Sequence, residues 1–269
     1  MPSSIWSATA GPHQPPGRGH LVLVHGAMDR SAGMLKLSRR FDREWAVTRY
    51  DRRGYGRSAA NPGPFTVAAQ VDDLLDVIER ADVAGPRVIV GHSFGGNVAL
   101  ALADRHPHAL HALVVYETPL LWLDWWGGTS AQMQAEGPWT DDPEAAAEQF
   151  MRRLIGDRRW ESLPAATRHQ RRAEGRALVA ELDDASDHAP WRPERIGVPV
   201  LTLYGERGRA HHRRAMELVA AEVPDGRVAM VPGAYHFGVN THPEHTAELI
   251  GAFLDEALSP VVPVVPPGG

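Results

Sequence analysis

The sequence predicts an α/β protein in which a mostly parallel central sheet is flanked by helices and interrupted by one helical cap insertion. Three observations predict this fold: short apolar runs spaced along the chain, helical segments between most of them, and one long stretch where the alternation stops. The 269 residues are enough for one large domain with a buried core. Strands that alternate with helices indicate parallel pairing with right-handed crossovers.

The apolar runs are short and rich in Val and Leu. They lack the alternation of apolar and polar residues that a half-exposed strand shows, so we expect strands that are buried on both faces. In chain order the predicted strands are Leu21–Val24, Val47–Tyr50, Val88–Val90, Leu113–Tyr116, Val200–Tyr204 and Val228–Val231.

Helical spacing is clearest between the second and third runs. Val67, Val71, Leu74 and Ile78 recur at intervals of three and four residues, with acidic residues on the opposite side. Thr66 stands where its hydroxyl can cap the first turn. This pattern predicts an amphipathic helix packed on the sheet.

The alternation stops from Thr118 to Trp191, a stretch that is helical in character and holds six of the eight tryptophans. Glu144–Ile155 and Ala165–Leu182 are its predicted helices. An insertion between two strands of one sheet is expected to form a cap over that sheet. The expected organisation is therefore a core of residues 20–118 and 191–258, a cap at 119–190, and flexible ends at 1–19 and 259–269.

The composition excludes several classes of function. The net charge of −5 gives no reason to expect nucleic acid or an anionic membrane as a partner. The chain has no cysteine, which excludes a disulfide framework, a thiol nucleophile and thiolate metal sites. The N-terminus lacks a signal-peptide pattern and no apolar stretch approaches about 18 residues, so no membrane span is expected. We expect a small-molecule substrate and a cytoplasmic location, and a homo-oligomer is left open.

The strongest chemical signal is Gly91-His92-Ser93-Phe94-Gly95, which follows an apolar strand and opens a helical run. Gly-x-Ser-x-Gly between a strand and a helix is a nucleophile elbow, in which the serine hydroxyl is exposed at the apex of a sharp turn. The two glycines let strand and helix approach closely. The chain has no Gly-x-Gly-x-x-Gly at its first strand turn and no Gly-Lys-Ser/Thr, which disfavours nucleotide binding.

His25-Gly26-Ala27 ends the first apolar strand. With the turn at Ser93, it makes nearly the whole chain resemble the α/β-hydrolase superfamily, in particular serine hydrolases with a helical cap. The resemblance implies that the backbone N–H groups of Ala27 and Phe94 form an oxyanion hole. It also implies that His25 braces this loop rather than taking part in the chemistry.

The resemblance places the general base at His236. This residue lies after the last apolar strand and before a helix that is expected to start at about Pro243. Neutral histidine has a pKa of about 6.5 and can accept a serine proton at physiological pH. Its position favours His236 over His242 and His245.

The acid of the triad departs from the superfamily's usual pattern. The position a few residues beyond Val200–Tyr204, where the superfamily usually has Asp, is Gly208. Glu206 is close to that position. Glu117 ends the strand after the nucleophile helix, where haloalkane dehalogenases carry their acid. We favour Glu117 because it directly follows a strand and precedes Pro119, a more rigid support, and we keep Glu206 as the alternative acid.

Two groups of histidines are candidates for metal binding. His106, His108 and His111 cluster after the nucleophile helix, and His211-His212 stand in tandem. Neither group fits a recognised ligand spacing, and no nearby acidic residue is expected to complete a set. The sequence therefore predicts no metal site, and no cofactor is expected.

Together these residues predict an acyl-transfer enzyme that acts on an ester, lactone, thioester or related carbonyl compound. Trp122, Trp125 and Trp126 follow a strand that ends near the expected site, which favours an apolar substrate of modest size. They are alternatively packing residues of the cap. Two other functions stay open: a non-catalytic ligand-binding protein of the same fold, and a cofactor-free lyase or oxygenase that uses the Ser-His pair.

Overall fold

The computed structural model describes residues 5–127 and 141–259, and its centre is a seven-stranded sheet with the order β1-β3-β2-β4-β5-β6-β7. β1 pairs antiparallel with β3, and every other pairing is parallel. The strands are β1 (Ser7–Ala10), β2 (His20–Val24), β3 (Ala46–Tyr50), β4 (Arg87–His92), β5 (Ala112–Tyr116), β6 (Val200–Gly205) and β7 (Gly226–Val231).

Helices cover both faces of the sheet and fill the interval between β5 and β6. In chain order they are α1 (Leu35–Phe41), α2 (Val67–Ala81), α3 (Phe94–Arg105), α4 (Pro143–Ile155), α5 (Asp157–Ser162), α6 (Ala165–Ala173), α7 (Gly175–Asp187), α8 (Ala210–Glu222), α9 (Gly238–Thr241) and α10 (Pro243–Ala257). The predicted cap of α2 is confirmed, since Thr66 Oγ1 accepts a hydrogen bond from Ala69 N at 3.2 Å.

The central strands are mainly apolar because the sheet has a hydrophobic core on each side. In β2 the side chains of Leu21 and Leu23 join one core and those of Val22 and Val24 join the other. All four are fully buried. The prediction of a mostly parallel sheet is confirmed, and all six predicted strands are present. Burial on both faces was wrong for Val228–Val231, because β7 lies at the edge of the sheet and leaves Val228 and Met230 exposed.

The N-terminal region corrects one expectation. Residues 1–19 were expected to be flexible, but Ser7–Ala10 form β1, with Ser7 opposite Tyr50 and Ala10 opposite Val47. A strand of four residues at the sheet edge, flanked by Pro and Gly, has too short a pattern to be seen in the sequence. The expected flexible tail from residue 260 onward lies outside the described residues.

The second predicted cap helix also needs correction. Instead of one helix over Ala165–Leu182, the chain forms α6 and α7, which meet at Glu174. The break lets the buried Glu174 carboxylate accept from Arg30 (2.7 Å) and from the backbone of Gly56 (2.9 Å). A side chain on Gly175 would collide with the carbonyl of Pro143, so this junction packs against the start of α4.

The helices α4–α7 sit between β5 and β6 in the chain, as the predicted cap would. Residues 128–140 are outside the description, so the cap boundaries 119–190 remain a prediction. Within the described ranges, none of the helices combines the length and apolar character needed to cross a bilayer.

A buried ion pair ties α7 to the rest of the fold. The guanidinium of Arg52 donates to Glu181 Oε2 at 2.6 Å, and both side chains are essentially inaccessible to solvent. Tyr55 Oη donates to Glu181 Oε1 at 2.6 Å, and Gln70 contacts both charged partners. Because both charged groups are removed from water, loss of either one would leave the other buried without a counter-charge.

We expect Glu181→Ala to lower the free energy of unfolding by about 3–5 kcal/mol, because it leaves the guanidinium of Arg52 buried without a counter-charge. Urea unfolding followed by circular dichroism measures this. Glu217→Ala is the matched control, since its pair with Arg213 is solvent-exposed and should contribute less than about 1 kcal/mol. Equal, small losses in both variants would contradict a structural role for the buried pair.

Candidate active site

Ser93 lies in the sharp turn between β4 and α3. Its backbone has φ 51° and ψ −127°, a strained conformation for a residue with a side chain. A Cβ on Gly91 would lie 2.6 Å from Gly96 Cα, and one on Gly95 would collide with the carbonyls of the β2 end. The two glycines thus allow the close strand–helix approach that presents the Ser93 hydroxyl, as the sequence motif predicts.

His236 lies in the loop after β7, and its ring reaches Ser93. Nε2 is 3.1 Å from Ser93 Oγ, and Nδ1 is 2.7 Å from Glu117 Oε2. A carboxylate only accepts, so Nδ1 carries the proton and Nε2 of the neutral ring is free to accept from the hydroxyl. The arrangement is a Ser-His-Glu relay with the tautomer that proton abstraction requires.

Glu117 directly follows β5 and is fully buried. Its backbone φ of 46° turns the side chain toward the adjacent strand end. Oε1 accepts from the backbone N–H of Gly205 at 2.9 Å, while Oε2 faces His236. This second contact fixes the carboxylate on a rigid support at the edge of the sheet.

The structure brings Glu117, and not Glu206, to His236. Glu206 is exposed, and its Oε2 accepts from the backbone of Gly233 at 2.7 Å. A side chain on Gly208 would collide with Glu117 Oε1. The carboxylate of Glu117 therefore occupies the space next to position 208, where the superfamily's usual Asp was expected, and glycine leaves room for it.

His92 braces the loop that carries His236, a role that the sequence did not reveal. Its Nε2 donates to the carbonyl oxygen of His236 at 2.7 Å. Burial, helped by the nearby His236, lowers the pKa of His92 to about 4, so its ring is neutral at physiological pH. The only sequence signal is its place within the Gly-x-Ser-x-Gly motif.

His212, on α8, is a second residue that the sequence reasoning missed. Its ring stacks on that of His236, with centroids 4.6 Å apart and planes 17° from parallel. His212 Nδ1 is 2.8 Å from Glu117 Oε2, although the alignment is poor for a hydrogen bond. One carboxylate oxygen therefore faces two imidazole rings.

The expectation that no acidic residue lies near the tandem histidines is wrong in space. Glu117, His212 and His236 each offer a ligand atom within 4.8 Å of one another, a set that could hold a metal ion. Glu117 and His236 already contact each other through Oε2 and Nδ1, so a metal ion held by the three residues would compete with the Ser-His-Glu contacts. The sequence could not show this, because the three residues come from three separate loops and helices.

Burial and mutual contacts shift the pKa values of Glu117 and His236. Burial raises the pKa of Glu117, but the contacts of His212 and His236 outweigh it and leave that pKa well below its usual range. Burial lowers the pKa of His236, and the His212 charge acts in the same direction, while Glu117 opposes both. Glu117 is thus ionised and His236 mostly neutral near pH 7.

The residues predicted for the oxyanion hole lie beside Ser93. Phe94 is the first residue of α3, where helical N–H groups have no acceptor within the helix. Ala27 and Phe94 both line the cavity that contains Ser93. Arg52 holds the Ala27 loop in place, since its guanidinium donates to the carbonyls of His25 and Gly26, each at 2.9 Å.

The Ser93 hydroxyl opens into a cavity of about 340 Å³ with mainly apolar walls. Of the three tryptophans predicted to bind substrate, Trp126 is among the lining residues; Trp122 and Trp125 are not. The ring of Trp122 instead packs edge-on against Trp191 at 5.5 Å, and the Arg214 guanidinium covers Trp125 at 4.1 Å. For these two, the packing alternative is what the described contacts support.

A parallel sheet whose strand ends gather serine, histidine and carboxylate beside a cavity defines an α/β hydrolase. A solved structure agrees on the fold. The enol-lactonase from Burkholderia xenovorans LB400 matches with a TM-score of 0.67 at 23% identity, covering 93% of this chain and 96% of that one.

The chain belongs to the family described as serine aminopeptidase S33, whose model matches residues 15–240. It is 30% identical over 220 residues to the pimeloyl-[acyl-carrier protein] methyl ester esterase of Aromatoleum aromaticum, covering 73% of this chain and 82% of the relative. It is 26% identical over 255 residues to the 2-(acetamidomethylene)succinate hydrolase of Mesorhizobium japonicum, covering 89% of each. Other curated relatives match over only 38% or 37% of their length. The protein is therefore a hydrolase of the α/β fold.

The shared carboxylate generates a prediction about the pKa of His236. His212→Phe should raise it, because the second ring no longer opposes protonation or competes for Glu117. Glu117→Gln should lower it, because the imidazolium loses its counter-charge. Histidine ¹⁵N NMR titration measures both. His108→Phe, an exposed ring, serves as control, and shifts of the same sign in the first two variants would refute this reading of the contacts.

Proposed function

We propose that this protein is a serine hydrolase that acts by acyl transfer through Ser93. The observation that carries the proposal is the unbroken contact series from Ser93 Oγ to His236 Nε2 (3.1 Å) and from His236 Nδ1 to Glu117 Oε2 (2.7 Å) beside a cavity. Each group has the protonation state that its role requires. No cofactor takes part in the proposed reaction.

Ser93 Oγ attacks the substrate carbonyl while His236 Nε2 takes the hydroxyl proton. The imidazolium that forms is stabilised by the ionised Glu117, whose low pKa keeps it charged throughout. The negative charge on the substrate oxygen is held by the N–H groups of Ala27 and Phe94. His236 then gives its proton to the leaving group.

Water completes the cycle. His236 accepts a proton from a water molecule, which attacks the acyl-enzyme; as the bond to Ser93 Oγ breaks and the acid product forms, His236 gives that proton to Ser93 Oγ. The same preorganised N–H groups serve both half-reactions, because each passes through a tetrahedral oxyanion. Bracing of the His236 loop by His92 keeps the ring in reach of both partners.

The proposed substrate is an ester, lactone or related carbonyl compound of modest size. A cavity of about 340 Å³ with walls such as Leu121, Phe150 and Leu182 suits a small, largely apolar acyl chain. Two relatives that align over most of their length are named as a methyl ester esterase and a hydrolase, which supports this choice.

The non-catalytic receptor rested on one feature, the missing aspartate at position 208. The position of the Glu117 carboxylate beside Gly208 removes that argument, since a carboxylate does face His236. The lyase or oxygenase alternative predicts labelling of Ser93 without ester turnover. Fluorophosphonate labelling combined with an ester assay therefore distinguishes it from the serine hydrolase.

Fluorophosphonate treatment should give a single adduct, on Ser93, and the protein should hydrolyse short p-nitrophenyl esters. Ser93→Ala should abolish both, because no other group can form the acyl-enzyme. Intact-mass spectrometry and release of p-nitrophenol measure the two effects. Ser31→Ala, a change at a buried serine outside the cavity lining, is the matched control. Undiminished turnover in Ser93→Ala would overturn the mechanism, and labelling without turnover would favour the lyase.

The acid can be tested by moving it. Glu117→Gln should lower kcat by up to about ten-thousand-fold, because the neutral amide cannot stabilise the imidazolium. Glu206→Gln is the matched control and should stay within a few-fold. Gly208→Asp alone should impair the enzyme, because a Cβ there crowds Glu117 and also lies 2.9 Å from the carbonyl oxygen of Gly205. Glu117→Ala/Gly208→Asp removes the first of these contacts and returns a carboxylate to the space beside Glu117, so it should recover at least about tenfold over Glu117→Ala. Collapse of Glu206→Gln with an unaffected Glu117→Gln would reverse the assignment.

A further inference from the structure

The mouth of the Ser93 cavity is basic, although the chain as a whole carries a net charge of −5. Arg153, Arg207 and Arg209 all line the cavity. Among the described residues that line it, none is acidic. The local excess of positive charge is therefore a property of this site and not of the surface in general.

Arg207 and Arg209 are exposed, line the cavity and have no carboxylate partner within the described part of the chain. Some exposed arginines elsewhere, such as Arg213, are paired with acidic residues. The neighbouring Glu206 is already engaged by the backbone N–H of Gly233. Two guanidinium groups with unused donors thus face the space that a substrate occupies.

The loop that carries these arginines is anchored next to the general base. The backbone N–H of Arg207 donates to the carbonyl of Ala234 at 2.8 Å, two residues before His236. Arg209 is close enough for its charge to be felt at His211 and His236; burial lowers both pKa values and this charge adds to the effect. The backbone at Arg207 is therefore fixed next to the general base, and the charge of Arg209 lies near the reacting atoms.

We infer that the natural substrate carries an anionic group, a carboxylate in its simplest form, which Arg207 and Arg209 bind at the cavity mouth while an apolar segment fills the cavity. Guanidinium groups bind carboxylates with paired, charge-assisted hydrogen bonds. The apolar walls, with Trp126 and Leu154 among them, suit the segment between that anion and the scissile carbonyl. This inference rests on the proposed function and narrows its substrate class.

The test compares esters that match in length and differ in charge. Mono-p-nitrophenyl adipate and p-nitrophenyl hexanoate place the anion on the acyl side, whereas 4-(butyryloxy)benzoate and phenyl butyrate place it on the leaving group. In at least one pair, kcat/KM should favour the anionic ester by about tenfold or more. The preference should fall as salt is raised, because the arginines are exposed.

Arg207→Gln and Arg209→Gln should each reduce the anionic-to-neutral ratio of kcat/KM by several-fold, and the double variant should bring it close to one. Arg213→Gln, an exposed arginine on α8 outside the cavity lining, is the matched control and should leave the ratio unchanged. The ratio is the informative quantity, because a general loss of folding would lower both rates together.

The outcomes separate this inference from the function on which it rests. If no ester is turned over above the Ser93→Ala background, the proposed function fails and the inference fails with it. If the neutral esters are hydrolysed as well as the anionic ones and the arginine variants leave both ratios unchanged, the serine hydrolase stands and the anionic substrate is rejected.

Discussion

The close approach of main chain segments at the carboxyl edge of the sheet is the constraint on which the site depends. Of the four described non-glycine residues with positive φ, three lie there: Met28, Ser93 and Glu117. Such conformations persist only where the surroundings over-determine them. Here the buried strands β2, β4 and β5 supply that rigidity: Ser93 and Glu117 directly follow β4 and β5, and Met28 lies in the loop after β2. The rigid strands thus hold the reacting groups in fixed positions.

The carboxylate of Glu117 makes several contacts besides the one to His236 that a triad acid requires. It accepts from the main chain of Gly205, faces two histidine rings, and fills the space beside Gly208. Burial of a carboxylate away from water disfavours its charged form. Glu117 stays ionised because hydrogen-bond donors and histidine rings surround it. The acid therefore also joins the ends of β5 and β6 to the start of α8.

Local patterns in the sequence were enough to find the sheet, the turn at Ser93 and the loop of His236. The strands repeat apolar residues, and the turn needs glycines at fixed spacing, so the signal is contained within a few neighbouring residues. Glu117 could be narrowed only to one of two candidates, because its partner lies 119 positions away. His212 and the Arg52–Glu181 pair, the latter 129 positions apart, leave no local trace. Long-range polar contacts follow from tertiary packing and not from periodicity.

The ion pair between Glu181 and Arg52 holds α7 in place while substrate enters and product leaves the cavity. Moving α7 away would leave the Arg52 guanidinium buried without a counter-charge, so α7 is held in place. Arg207 and Arg209 line the same cavity and are exposed, so a ligand that they bind is held where the cavity meets solvent. A ligand held tightly there would also leave slowly. Recognition at the entrance and the rate of product departure are therefore coupled, and stronger binding there can slow the overall cycle.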